Sequence, residues 1–146
     1  MPTTTAAQKR ATAKVEYDAF LATCPSRMLL DRISDKWVGL VLCALGDAPR
    51  DPTTGSAVLR YSELGRRLAG VSPKMLSQTL RTLERDGLVT RTATPTVPVT
   101  VTYELTDLGH SLRGALRVVK EWAEGHMDDV LAHREAHDAG LALTST

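Results

Sequence analysis

Aromatic residues are scarce: two Trp, three Tyr and one Phe make up 4% of the 146 residues. That is too few for the stacking platforms on which single-stranded nucleic acids are held. Cysteine is nearly absent as well. Cys24 and Cys43 cannot build a disulfide framework, and their separation does not match a zinc site. Long hydrophobic runs are missing: the longest, Trp37 to Gly46, falls well short of the roughly 20 residues a membrane span needs. The opening "MPTTTAAQKR" has no apolar core of a signal peptide, so the chain reads as cytoplasmic with no membrane partner. Net charge is only +1, which excludes a uniformly basic surface.

Charge is nevertheless segregated along the chain. Residues 60–91 hold seven basic residues (Arg60, Arg66, Arg67, Lys74, Arg81, Arg85, Arg91) against three acidic ones, a balance of +4. Residues 121–146 hold six acids against Arg134, a balance of −5. A polyanion would therefore meet the middle of the chain and be repelled by its end. The length fits a single domain, expected over residues 8–139 between a disordered start (1–7) and a flexible tail (140–146).

The periodicity follows a definite order. Residues 8–22 are Ala-rich and helix-compatible, with Val15, Ala19 and Ala22 on one side. In "CPSRMLLDRI", Pro25 suits a first helical position. "SDKWVGLVLCALG" offers Asp35 as N-cap, Trp37, Leu40, Val41, Ala44 and Leu45 as a buried stripe, and Gly46 as the stop. Residues 47–57 read as a loop, "VLRY" as a short strand, and Ser62 as the cap of "ELGRRLAG", whose Leu64 and Leu68 face inward. Only Val71 separates Gly70 from the next cap, Ser72, so two short helices join in a helix-turn-helix. After Gly87 the period changes from 3.6 to 2. "LVTRTAT" and "VTVTYELT" form a hairpin around "PTVP", with Val99, Val101, Tyr103 and Leu105 on its buried face. Thr106 then caps a long helix carrying Leu108, Leu112, Leu116, Val119 and Trp122 on one side.

"SPKMLSQTLRTLERDGLV" (residues 72–89) is the most informative stretch. At about 100° per residue, Leu76, Leu80 and Leu83 share one face. Lys74, Gln78, Arg81 and Arg85 gather diametrically opposite, in a row about 16 Å long. Ser77 flanks them. Such a row suits a major groove about 12 Å wide, where Arg pairs with guanine and Gln with adenine. Lys74 neutralises phosphate, and Ser72 with the free N–H groups of the helix start accepts one. A plain solvated face is the competing reading. The tight turn before the helix and the hairpin after it weigh against that. The hairpin (about 88–105) either closes the core or serves as a wing, bringing Arg91 and Thr100 to the flanking DNA, where such contacts set register.

"ISDKWVGLVL", "YSEL", "GVSPKMLSQTLRTLERDGLVTR", "VPVTVTYELTDLG" and the preceding "CP" together resemble HxlR-type regulators, a bacterial winged-helix group related to the MarR-like repressors. The resemblance spans about Cys24 to Trp122. It implies a mainly α fold with a small β-hairpin wing, a winged helix-turn-helix that dimerises through its terminal helices. It further implies a homodimeric transcriptional regulator, by family habit a repressor, that binds a palindromic double-stranded operator with residues 72–86 as recognition helix. Leu112, Leu116, Val119 and Trp122 would then contribute to the dimer. Two departures stand out. Thr100 replaces a basic wing residue common in the family, and loop 47–57 is long, either an extra arm with Arg50 on phosphate or a surface insertion.

Three further features bear on effectors and competing functions. Cys24, if it is an N-cap, sits where helix N–H groups and Arg27 favour a thiolate. It is read either as a sensor of oxidants or electrophiles, as in some relatives, or as a packing cysteine. Cys43 reads as packing. His126, His133 and His137 share a stripe, and the last two have chelating i, i+4 spacing. With no third ligand fixed by sequence, exposed or dimer-facing histidines are expected and no metal or other cofactor is assigned. No nucleophile–base pair or phosphate loop supports an enzyme. The competing non-enzymatic reading is a winged-helix protein-assembly module without sequence-specific DNA binding.

Overall fold

The computed structural model describes residues 3–144. The elements run α1 (Ala6–Thr23), α2 (Pro25–Ile33), α3 (Lys36–Gly46), β1 (Leu59–Arg60), α4 (Tyr61–Arg67), α5 (Pro73–Arg85), β2 (Val89–Thr94), β3 (Thr100–Leu105) and α6 (Asp107–Thr144). The three strands form an antiparallel sheet in the order β1-β3-β2. Arg60 stands opposite Thr102 and Arg91 opposite Tyr103. This is a winged helix-turn-helix: α4 and α5 make the helix pair, and β2–β3 is the wing.

Caps set the helix limits. The Asp35 carboxylate accepts the Trp37 N–H at 2.9 Å, and Ser72 Oγ accepts the Met75 N–H at 3.1 Å. Gly87 takes the left-handed conformation (φ 75°) that only glycine adopts without strain. The Leu88 N–H then reaches back to the Leu83 carbonyl at 2.9 Å and ends α5. One cap differs from expectation. Helix α4 starts at Tyr61, and the Glu63 carboxylate accepts the Arg60 N–H at 3.1 Å, so Ser62 is an exposed residue of the first turn.

The core centres on α3, which packs against α2, α4, α5, α6 and β3. Its buried residues are Val38, Val41, Leu42 and Leu45. Leu40, expected inside, is 45% exposed. "WVGLVLCAL" contains two overlapping helical stripes, and its uniform apolarity leaves the choice to the packing partners. Leu64 and Leu68 of α4 and Leu76, Leu80 and Leu83 of α5 complete the core with Leu59, Val89, Tyr103 and Leu105. On β3 the expected alternation holds only at the core end. Tyr103 and Leu105 are buried, while Val99, just before the strand, is 63% exposed.

The start of α6 is tightly constrained. Thr106 Oγ1 accepts the Gly109 N–H at 3.0 Å and donates to the Gly87 carbonyl at 2.7 Å. A side chain at Gly109 would collide with the Leu88 carbonyl oxygen. The "LTDLG" motif is thus a cap followed by a close backbone crossing. Farther along, Arg113 pairs with Asp47 and lies over Gly46, where a Cβ would come within 2.5 Å of its Nε. Helix α6 continues through Gly125 and Gly140 to Thr144. Residues 140–144 therefore extend the helix rather than form a separate tail, and α1 already includes Ala6 and Ala7. Residues 1–2 and 145–146 lie outside the described residues.

Loop 47–57 is folded on itself. Asp51 Oδ1 accepts the N–H groups of Thr53 at 2.7 Å and Thr54 at 3.2 Å. The Arg50 guanidinium donates to the Gly55 carbonyl at 3.0 Å, and Ala48 and Ala57 anchor the ends in the core. The loop is a compact surface insertion with Arg50 engaged internally.

Candidate nucleic-acid interface

On α5 the leucine stripe faces the core, and Ser72, Lys74, Ser77, Gln78, Arg81 and Arg85 are all exposed. Among the described residues, no hydrogen bond or ion pair engages those of Lys74, Gln78, Arg81, Arg85 or Arg91. The cations at the start of α6 differ: Arg113 pairs with Asp47, Arg117 with Glu121 at 3.4 Å and Lys120 with Glu124 at 3.9 Å. A solvated helix face pairs its charges in this second way. The α5 row leaves its charge and donors available to an external anion.

Tyr61 holds α5 in place. Its hydroxyl donates to the Pro73 carbonyl at 3.0 Å and lies 3.1 Å from Ser77 Oγ. Ser77 and Ser72 are therefore both tied to internal partners, Ser72 through its cap on Met75. The helix pair is locked by hydrogen bonds from α4 to the first turns of α5.

Between α5 and the sheet lies a small cavity of about 220 Å³ lined by Ser77, Arg81, Glu84, Arg91 and Tyr103. It brings Arg91, expected on the wing, beside Arg81 of α5. A larger groove of about 520 Å³ runs along the wing base past Arg60, Tyr61, Arg91, Thr100 and Tyr103. Thr100 contacts Thr96 at 3.1 Å between their hydroxyls, so it stiffens the wing turn as well as lining the groove. Arg60, Tyr61 and Tyr103 were not assigned to the site from sequence. Arg60 is drawn in by the two-residue pairing of β1 with β3, a tertiary contact without a local signal. Tyr61 at the head of "YSEL" carried the only available clue.

The other candidate residues separate into distinct places. Cys24 is the N-cap of α2, with Pro25 next, and its side chain makes no capping hydrogen bond. Its thiol lies below the ordinary cysteine pKa because the backbone N–H groups of Arg27 and then Ser26 favour the thiolate. It is partly exposed. Cys43, expected to be packed away, is also partly exposed. Leu112 and Leu116 pack partly against the protomer core, whereas Val119 and Trp122 are 62% and 53% exposed. Trp122 stacks on His126 with ring centroids 4.6 Å apart. His133 and His137 are exposed, and no group of three metal-ligating side chains occurs among the described residues. Nor is any helix among them long and apolar enough to cross a membrane.

The HxlR-like helix-turn-helix family model matches residues 32–130. The HTH-type transcriptional regulator YtfH of Escherichia coli K12 is 37% identical over 124 residues, covering 85% of this chain and 91% of that protein. The structure of the transcriptional regulator YtfH from Salmonella typhimurium matches with a TM-score of 0.66 at 39% identity, covering 80% of this chain and 96% of that one. The reduced form of the redox regulator HypR matches with a TM-score of 0.65 at 31% identity, covering 75% of this chain and 99% of HypR.

Proposed function

Because the chain belongs to the HxlR-like helix-turn-helix family of transcriptional regulators, we propose that it binds double-stranded operator DNA as a cytoplasmic homodimer and represses transcription. Helix α5 lies in the major groove and the β2–β3 wing on the flanking DNA. The observation that carries this reading is the unpaired row Lys74, Gln78, Arg81 and Arg85 on a helix whose opposite face is core. Arg81 and Gln78 read base edges, and Lys74 and Arg85 neutralise phosphate. Arg91 and Arg60 line the groove at the wing base, where they supply the cations that Thr100 lacks. Ser72 and Ser77 contribute mainly through the helix start they help to fix.

The dimer rests on apolar surface that the protomer leaves open. Val15, Tyr17 and Phe20 of α1 and Val119, Trp122 and Leu131 of α6 are all more than half exposed. A second copy covering these helices is symmetric about a two-fold axis. The two recognition helices then meet half-sites about 34 Å apart on a palindromic site. Cys24 is the oxidant- or electrophile-sensitive position, on the strength of its partly exposed thiol and the helix-start N–H groups that favour its thiolate.

Fluorescence anisotropy at one fixed moderate salt concentration tests this. The two probes are the intergenic DNA beside the gene and a scrambled fragment. Preference for the native fragment is expected. Arg81→Ala should lose about 1–3 kcal/mol and relax that preference, whereas Lys74→Ala should weaken both fragments alike and flatten the salt slope. Equal, sequence-blind losses from both variants would refute base reading by Arg81. No binding of either fragment would favour the protein-assembly role.

A further inference from the structure

Where α5 faces the junction of α2 and α3 there is a cavity of about 420 Å³, whose lining includes Asp31, Asp35, Gln78, Thr79 and Arg81. Val38 and Met75 supply its apolar wall. Thr79 is only 3% exposed, and its Oγ1 has no hydrogen-bond partner among the described residues. A buried hydroxyl left unbonded is costly and rare in native interiors. The charges around it divide into engaged and free. Arg32, which also lines the cavity, is held by Asp86 at 2.9 Å, and one oxygen of Asp35 accepts the Trp37 N–H. Among the described residues no ion pair engages Asp31, Asp35 or Arg81. Asp31 and Arg81 thus line one cavity without pairing, and their opposite charges stand apart across it.

We propose that this cavity binds a small zwitterion, an ammonium and a carboxylate joined by a short carbon chain. The ammonium donates to the carboxylates of Asp31 and Asp35. The carboxylate accepts from the Arg81 guanidinium, whose planar fork suits it, and from the Gln78 amide. Val38 and Met75 cover the chain between, and the Thr79 hydroxyl gains the partner it lacks. A lone cation would leave Arg81 unmet, and a lone anion would face two carboxylates, so a ligand carrying both charges matches the lining. Resting on the reading of Gln78 and Arg81 as base readers, the site is also regulatory. A ligand that holds both side chains keeps them from base edges. Ligand and operator then compete, and each weakens the other by the same factor.

The test begins on the full-length protein without DNA, so it does not depend on operator binding. The probes are 4-aminobutanoate and 6-aminohexanoate, with butylamine and butanoate as singly charged controls, titrated by calorimetry. One site per protomer is expected, with a Kd of about 1 mM or tighter for at least one of the amino acids. The controls should bind about tenfold more weakly, the loss of one charge-assisted contact. Thr79→Val removes the hydroxyl and keeps the shape. It should leave the urea midpoint unchanged or raised, because no internal bond is lost, yet weaken the amino acid about tenfold. A hydroxyl that merely supported the fold would lower the midpoint and leave the affinity alone. Asp31→Asn, at an exposed position, should weaken the amino acid about tenfold as well, and it decides alone should Thr79→Val fail to fold. In anisotropy with the operator fragment, the bound amino acid should then weaken DNA binding. No saturable titration, equal binding of the controls, or unchanged affinity in either folded variant would overturn the site. Saturable binding that leaves operator affinity unchanged would overturn the competition. If the titration succeeds and no DNA fragment is bound, the DNA reading and the competition fall while the site stands.

Discussion

Gly109→Ala and Gly114→Ala add the same methyl group to the same helix, and opposite effects on stability are expected. In a helix interior, alanine is favoured over glycine by about 1 kcal/mol. At Gly114 an added Cβ meets nothing within 4 Å. The position also lies about 160° around the helix from Leu116, away from the apolar row. Gly114→Ala should therefore stabilise by about 0.5–1 kcal/mol. At Gly109 the Cβ would fall on the Leu88 carbonyl oxygen and 3.2 Å from Leu105 Cδ2. That carbonyl cannot easily retreat: it accepts the Thr106 N–H at 3.1 Å, and Thr106 is itself tied to Gly87 at 2.7 Å. Overpacking of this kind costs about 1–3 kcal/mol, and losing the Leu88–Thr106 bond adds about 1 kcal/mol. Against a propensity gain that is small in the first helical turn, Gly109→Ala should destabilise by about 2–4 kcal/mol. Urea unfolding at one fixed protein concentration measures both midpoints, and equal m-values confirm that like transitions are compared. If Gly109→Ala is as stable as Gly114→Ala, the close crossing of α6 over Leu88 is refuted.

Other perturbations probe the remaining contacts. Tyr61→Phe keeps the ring and removes the hydroxyl that reaches Pro73 and Ser77. It should destabilise by about 1 kcal/mol and weaken operator binding with the α5 row intact; unchanged stability and affinity would dismiss the lock. The alkylation rate of Cys24 should reach half its plateau at a lower pH than that of an ordinary thiol, and unfolding should move it back up. Because the folded-state pKa is the lower one, the associated stabilisation is present above the unfolded value and fades as pH falls through the folded value. Val119→Glu should yield a folded monomer in sedimentation at micromolar concentration. Leu116→Ala should instead weaken the protomer by about 2 kcal/mol, the low end for a leucine against a core. A Val119→Glu dimer as tight as the wild type would place the interface elsewhere.

Helix α5 was legible in advance because each of its determinants is local. Ser72, Pro73, the 3.6-residue leucine period and Gly87 act within a few residues, and together they direct Lys74, Gln78, Arg81 and Arg85 outward. The hairpin was legible as a pair of strands, although its period of 2 matched burial only at the core end, at Tyr103 and Leu105. Helix α3 was less so. Every position from Trp37 to Leu45 except Gly39 is apolar, and such a sequence permits either of two stripes. The neighbours on several sides selected Val38 and Leu42 over Leu40. The cavity beside Thr79 was illegible for a related reason: the carboxylates that share it come from the α2–α3 junction, far earlier in the sequence.

Taken alone, the sequence determined the order of elements, the helix caps other than that of α4, and the charged face of α5, because these depend on interactions within one or two helical turns. Tertiary structure decided which distant residues share a site. Pairing of β1 with β3 brought Arg60 to the wing, Tyr61 reached across to Ser77, and the α2–α3 junction brought Asp31 to the cavity that Arg81 lines. Backbone periodicity specifies the direction of a side chain from its own element. What it meets there depends on how the elements pack, and that follows from the burial of the whole core.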